Sequence, residues 1–266
     1  MGTAARMSAP TQIPTFVNAI RAAEKLYQEQ VSRSKLALVW REEAYFAHQQ
    51  VERSGQGDFS LMNCTPNSIA ESIVQAAQFG LSLNPRKGYA YLVPRFNRKR
   101  RVVECHLEIG YRGYIKIAAQ AGVIKRADAN IIYSKDTFTY RGASERVTHV
   151  ITSLSTDPTV RGQMAGGYCE AVLTDDTICT VTMSPEELLA IEQAALDNAY
   201  GDTPWAGPFK DEMRKKTLIR RAWKTWESLV EAVGGNVELV NAVSRHIERE
   251  DAGFDGDGSM SVSATY

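Results

Sequence analysis

This chain of 266 residues carries no P-loop, no clustered metal ligands, no membrane-length apolar run and no net charge. The missing GxxxxGK[ST] pattern excludes a P-loop NTPase. No apolar stretch approaches the roughly eighteen residues of a bilayer-spanning helix, and no secretory leader is recognisable, so the expectation is a soluble, cytoplasmic protein. Cysteine is scarce: Cys64, Cys105, Cys169 and Cys179 show no CxxC spacing. They read as buried thiols in a reducing compartment. The four histidines (His48, His106, His149 and His246) fall on different predicted elements, without HExxH spacing. Asp128, Asp136, Asp175 and Asp176 could be imagined as two-metal nuclease ligands, but acids near hairpin turns are ordinarily turn formers. The sequence therefore predicts no covalent catalysis, no metal site and no nucleotide cofactor, and sets no expectation for Mg2+.

The charge that is present is segregated. The sum is zero, with 31 basic and 31 acidic residues, yet cations crowd into residues 86–126 and 210–224 while the end of the chain is acidic. Screening confines an exposed charge to about 10 Å, so the local surplus matters more than the sum. The densest stretch runs from Gln75 to Gly122. Gly80 is placed as a left-handed helix stop. Tyr89 to Pro94 and Val102 to Ile109 read as two strands. Between them Arg95-Phe-Asn-Arg-Lys-Arg-Arg101 holds five cations and no acid: Arg95, Arg98, Lys99, Arg100 and Arg101. Arg86 and Lys87 precede the first strand. The turn Ile109-Gly-Tyr-Arg-Gly113 leads into a helix from Tyr114 to Ala121. Arg112 and Lys116, four apart, share a face where a helix N-terminus also favours an anion. Its two glycines allow close approach of another backbone.

Gln75-Ala-Ala-Gln-Phe-Gly-Leu81, Asn84-Pro85, Gly88-Tyr-Ala-Tyr-Leu-Val-Pro94 and Ile109-Gly-Tyr-Arg-Gly113 resemble, in order and rough spacing, the core signature of the RecT family of phage recombinases. Pro204-Trp205 and Glu212-Met-Arg-Lys-Lys-Thr-Leu-Ile-Arg-Arg221 are similar to its second block. The resemblance covers roughly residues 65–230. It implies an ATP-independent protein that binds single-stranded DNA and anneals complementary strands during recombination in a bacterial cell. It also implies work as a ring or helical filament, a partner exonuclease that makes the single strands, and contact with the host single-strand-binding protein.

Along the chain, residues 1–11 are predicted to be disordered. Helices follow near Phe16 to Tyr27 and from about Lys35 to Arg53, the second facing inward through Leu36, Val39, Trp40 and Ala47. This pair either lids the core or packs on a neighbouring subunit. Thr65-Pro66 reads as N-cap and first position of a helix to Phe79; Gln75 and Gln78 on it read as solvated amides. Strands are predicted at Ala127 to Tyr133, Asp136 to Tyr140, Val147 to Ile151, Gly166 to Leu173 and Ile178 to Met183. Ser184-Pro-Glu-Glu187 is a capping box opening a helix to about Leu196. A long helix, Phe209 to about Leu229, carries Lys216, Arg220 and Lys224 at spacings of four, with Arg214, Lys215 and Arg221 beside them. Met213, Leu218 and Trp226 are its expected apolar side. Val237 to Ile247 is a short helix, and residues 251–266 read as a disordered acidic tail.

The expected architecture is α+β, an antiparallel hairpin-built sheet covered by helices. Its segments are an N-terminal helical part (1–60), an annealing core (61–233), and a short helix with the acidic tail (234–266). The expected DNA contacts are Arg86, Lys87, Arg95, Arg98 to Arg101, Tyr111, Arg112, Lys116, Lys215, Lys216, Arg220, Arg221 and Lys224. Tyr114 is assigned to the core, with stacking on bases left to Tyr111. Three alternatives share the basic features: a coating protein that binds strands without annealing them, a metal-dependent nuclease, and an assembly protein using the basic helix as a subunit interface.

Overall fold

The computed structural model describes residues 15–34, 37–97, 99–155, 157–197 and 203–256, the last six by backbone alone. Residues 1–11, Lys35, Leu36, Arg98, 198–202 and 257–266, each the subject of a sequence expectation, lie outside the described residues.

The fold is α+β, and among the described residues every strand ladder is antiparallel, with one isolated parallel bridge between Cys64 and Val103. Helices α1 (Thr15–Ser34), α2 (Trp40–Arg53) and α3 (Pro66–Gln78) precede a hairpin of β1 (Ala90–Asn97) and β2 (Val102–Ile109). Helix α4 (Tyr111–Gln120) leads to β3 (Ile124–Tyr133), the short strands β4 (Thr137–Thr139) and β5 (Thr148–Val150), and a single turn α5 (Pro158–Arg161). Strands β6 (Met164–Leu173) and β7 (Ile178–Met183) and helices α6 (Pro185–Asp197), α7 (Lys210–Leu229) and α8 (Val237–Gly256) complete it. The pairing is divided among three sheets: β1-β2, β3-β6-β7 and β4-β5. One apolar cluster runs from Phe16 to Ile247, so helices at both ends of the chain share the core that carries the hairpin.

Helix α3 closes the outer edge of β2 with two serines one turn apart. The backbone N–H of Cys105 donates to Ser68 Oγ at 2.8 Å, and Ser72 Oγ donates to the Cys105 carbonyl at 2.9 Å. A strand edge that would invite another chain is thereby occupied by side chains. Thr65 stands at the N-cap, but its hydroxyl donates to Ser68 Oγ and caps no backbone N–H. Gly80 stops α3 in the left-handed conformation (φ 67°), with Leu81 N–H reaching back to the Ala76 carbonyl at 2.8 Å. Helix α2 treats β1 similarly: Gln50 accepts from Leu92 N–H and donates to the Leu83 carbonyl, both at 2.7 Å. One face of α2 buries Glu43, Ala47, Gln50 and Val51, whereas Val39, expected inside, is exposed. Glu43 accepts from Ser82 Oγ and Leu83 N–H; burial still pushes its carboxyl up.

Strand β1 extends to Asn97, three residues into the basic run, because Arg95 and Phe96 find partners across the ladder in Glu104 and Val103. Helix α4 begins at Tyr111, earlier than expected. A Cβ on Gly113 would lie 2.1 Å from the Tyr89 carbonyl oxygen, and one on Gly110 2.4 Å from that of Gly88. The close approach that these glycines permit is made by the chain's own backbone. Tyr114 is fully buried against Trp223 of α7. The inner face of α7 is Leu218, Ile219, Ala222, Trp223 and Trp226, while Met213 is half-buried.

Asp136 is more than a turn former. It accepts two nitrogens of Arg161 and His149 Nε2 at 3.0 Å, and so pins the β4-β5 hairpin to α5. Arg161 holds its carboxyl well below the usual carboxylate range. The capping box forms as expected, with Glu187 N–H donating to Ser184 Oγ and Ser184 N–H to Glu187 Oε2. Helix α8 continues through Gly256, so residues 251–256, expected in the disordered tail, are helical.

Candidate nucleic-acid interface

The alternation of β2 places Glu104, His106 and Glu108 on one face, opposite Arg95, Val93 and Tyr91 of β1. That face meets the C-terminal helices. Glu108 lies between Arg95 Nη2, at 2.6 Å, and Lys216 Nζ of α7, which forms a short ion pair with its other oxygen. The side chains of Arg95, Glu108 and Lys216 are only 18, 23 and 11% exposed. Burial alone would raise the Glu108 carboxyl; Lys216 and Arg95 outweigh it and hold the group far below its ordinary range. Arg220, one turn beyond Lys216, adds to that field and approaches Glu250 of α8 at 3.9 Å. Desolvation by the surrounding protein, then the Arg95 charge, push the His106 pKa below its ordinary value.

The hairpin, α7 and α8 thus converge on one cationic junction. Beside it opens a groove of about 1010 Å³ between α1, α3, the hairpin and α8. Its rim includes Arg95, Arg100 and Arg249, and both Gln75 and Gln78, which the sequence reading set aside.

The predicted contacts among the described residues divide into four groups, the fourth being Lys215 and Arg221 on α7. Arg95, Lys216 and Arg220 are gathered at the junction. Arg86, Lys87, Lys99, Arg101 and Lys224 are exposed and stand outside the ion pairs formed by the described residues, whereas Arg100 at the tip pairs with Glu104 at 2.6 Å. Arg101 takes a left-handed conformation (φ 53°) to close the tip. Arg112 is exposed, its Nε donating to Tyr111 Oη at 3.1 Å with the guanidinium 5.6 Å from that ring; Lys116 is half-buried on the same helix. Tyr91, absent from the sequence selection, is half-buried beside Tyr111 and Arg112, and burial foremost raises its hydroxyl.

The α7 cations do not form one wall. Lys216 and Arg220 face the hairpin and α8. Arg221 pairs with Glu187 of α6 at 3.1 Å, Arg214 with Glu192 of α6 at 2.8 Å, and Lys215 with Glu212 on its own helix at 3.0 Å.

Catalytic alternatives find little geometry. Among the described residues no group of three or more His, Cys, Asp or Glu is placed to hold a metal. Asp175 accepts from Thr177 N–H and Asp176 pairs with Lys125, well apart from Asp136 in the fold. The four cysteines are free and buried, and burial pushes the Cys105 thiol up to about 12. No described helix is long and apolar enough to cross a membrane.

Comparison with known proteins supplies the family. The RecT family model matches residues 44–251. Protein RecT of Escherichia coli (strain K12) is 28% identical over 210 residues, which span 78% of this chain and 72% of that relative. The match extends from α2 into α8 and encloses the hairpin, the Gly110–Gly113 turn and α7. The chain belongs to the RecT family.

Proposed function

We propose that the protein binds single-stranded DNA along the cationic junction and anneals complementary strands, without nucleotide hydrolysis or covalent catalysis. The observation that carries this reading is the meeting of the basic hairpin with α7 at Glu108, where Arg95, Lys216 and Arg220 gather from two separately basic elements. Cations at that junction and at the exposed tip neutralise the phosphates of one strand. Single-strand affinity then falls with salt at a log–log slope of about 0.7 per phosphate contact. Tyr111, with Arg112 against its ring, offers a stacking surface. Bases held by their backbone remain available to a second strand, and Watson–Crick pairing supplies both specificity and driving force.

One subunit offers a short track, so annealing of long strands calls for a homo-oligomer, and the substrate calls for an exonuclease that exposes it. Contact with the host single-strand-binding protein completes the proposed set of partners.

The test is stopped-flow annealing of two complementary dye-labelled oligonucleotides without ATP, over a salt series, with a denaturing gel of the same samples. The expected result is acceleration with intact strands, lost at high salt and in Lys216→Ala/Arg220→Ala. Tight binding with slowed annealing would identify a coating protein. Shortened strands would identify a nuclease.

A further inference from the structure

Strand β3 ends the sheet β3-β6-β7, and its outer edge is left open. The other long edges are covered. Ser68 and Ser72 occupy the edge of β2, Gln50 that of β1, and the Ala143 carbonyl accepts from Thr180 N–H of β7 at 2.7 Å. Among the described residues no backbone group from Arg126 to Ile132 bonds outside the β6 ladder. Ile131 pairs with Gly167, where an added Cβ would meet Leu218 of α7, so the odd-numbered residues of this stretch face the helices. Arg126, Asp128 and Asn130 therefore face the other way. Arg126 and Asp128 are exposed and stand outside the ion pairs formed by the described residues. A cation alone on an edge repels a second strand. A cation and an acid two residues apart on one face instead match a copy of themselves run in the opposite direction.

We propose that β3 pairs antiparallel with β3 of a second copy about a two-fold axis at Ala127, so that Arg126 of each copy lies opposite Asp128 of the other. Cross-strand partners share a face, so a register that keeps both helix-covered faces on one side pairs even-numbered residues with even-numbered ones. Centring the axis on Arg126 or on Asp128 sets like charges directly opposite each other, which is destabilising. Centring it on Ala129 leaves Arg126 opposite Ile132 and Asp128 opposite Asn130. Ala127 is the centre that satisfies both charges, twice over by symmetry. Register shifts at Lys125 and between Ile132 and Tyr133 bound the regular edge, so the ladder is short and the pair depends on concentration. The contact is isologous and closes at two copies; it joins subunits in pairs and does not itself extend into a ring or filament. It goes beyond the DNA-binding reading and does not depend on it.

The experiment is sedimentation velocity of the full chain without DNA, over a series of protein concentrations. The wild type is expected to associate as the concentration rises. Arg126→Asp and Asp128→Arg should each weaken that association about tenfold or more, because each turns two opposed pairs into two repulsive ones. Mixed in equal amounts, the two variants should associate again, since the acids of one then face the cations of the other. The double exchange Arg126→Asp/Asp128→Arg should also associate, because it restores the match with the charges reversed. Recovery on mixing separates a lost charge match from a lost fold, as the same molecules supply both results. A wild type that stays monomeric throughout overturns the proposal. So does association that either single variant leaves unchanged, or that mixing fails to restore.

Discussion

Replacing Glu108 by Gln tests whether the junction is an anchor of the fold as well as a place where cations gather. The carboxylate is 23% exposed and joins Arg95 (18%) to Lys216 (11%), so the substitution leaves two largely buried cations facing one amide oxygen. Breaking a buried pair by removing one partner costs about 3–5 kcal/mol. The retained acceptor brings the expected loss to about 2–3 kcal/mol, or about 5–10 °C in Tm for a chain of this size.

The pH dependence identifies the cause. The folded Glu108 carboxyl lies below its unfolded value, so its contribution is fully present above about pH 4.3 and is lost as the pH falls towards the folded value. Gln does not titrate. The Tm gap between wild type and Glu108→Gln, read by circular dichroism, should therefore be widest near neutral pH and narrow progressively as the pH falls below about 4.3. A gap under about 1 °C at neutral pH, or one that stays constant on acidification, would refute the reasoning, because a packing defect has no such titration.

At the hairpin tip, Lys99→Ala/Arg101→Ala removes two exposed cations that anchor nothing, so Tm should stay within about 1 °C while the single-strand salt slope falls by about 1.4. An unchanged slope by anisotropy would place the tip outside the DNA path. Gly113→Ala sets a methyl 2.1 Å from the Tyr89 carbonyl oxygen and 2.8 Å from Ile109 Cγ2. It should cost about 3 kcal/mol or more in thermal melts. Gly57→Ala, with nothing within 4 Å of the added carbon, serves as the innocuous control.

Elements with strong local signals were legible in the sequence: the Gly80 stop, the capping box, both strands of the basic hairpin and the buried Tyr114. What local pattern missed was the pairing of charges. The run from Arg95 to Arg101 contains no acid of its own, yet Arg95 pairs with Glu108 and Arg100 with Glu104, both from the returning strand. The alternation of β2 carried that information, since it puts Glu104 and Glu108 on the face of the hairpin that Arg95 shares. Helical period likewise separates Arg214 and Arg221, which turn to α6, from Lys216 and Arg220, which turn to the hairpin. The end of α8 was not legible: the Gly- and Asp-rich composition from residue 251 onward reads as tail, whereas the helix, anchored on Trp223 and Phe79 through Ser244 and His246, runs to Gly256.

Pairing also ranks cations that composition leaves equal. A guanidinium or ammonium already neutralised by a buried carboxylate offsets less of a phosphate's charge, so it displaces fewer of the counterions condensed on the strand. By that argument Lys99, Arg101 and Lys224 should dominate the salt slope, whereas Arg95 and Lys216 should position the strand and change it little. A net charge of zero therefore coexists with a locally cationic surface, because some of the balancing acids, such as Glu108 and Glu192, serve as anchors within the fold while others lie towards the end of the chain.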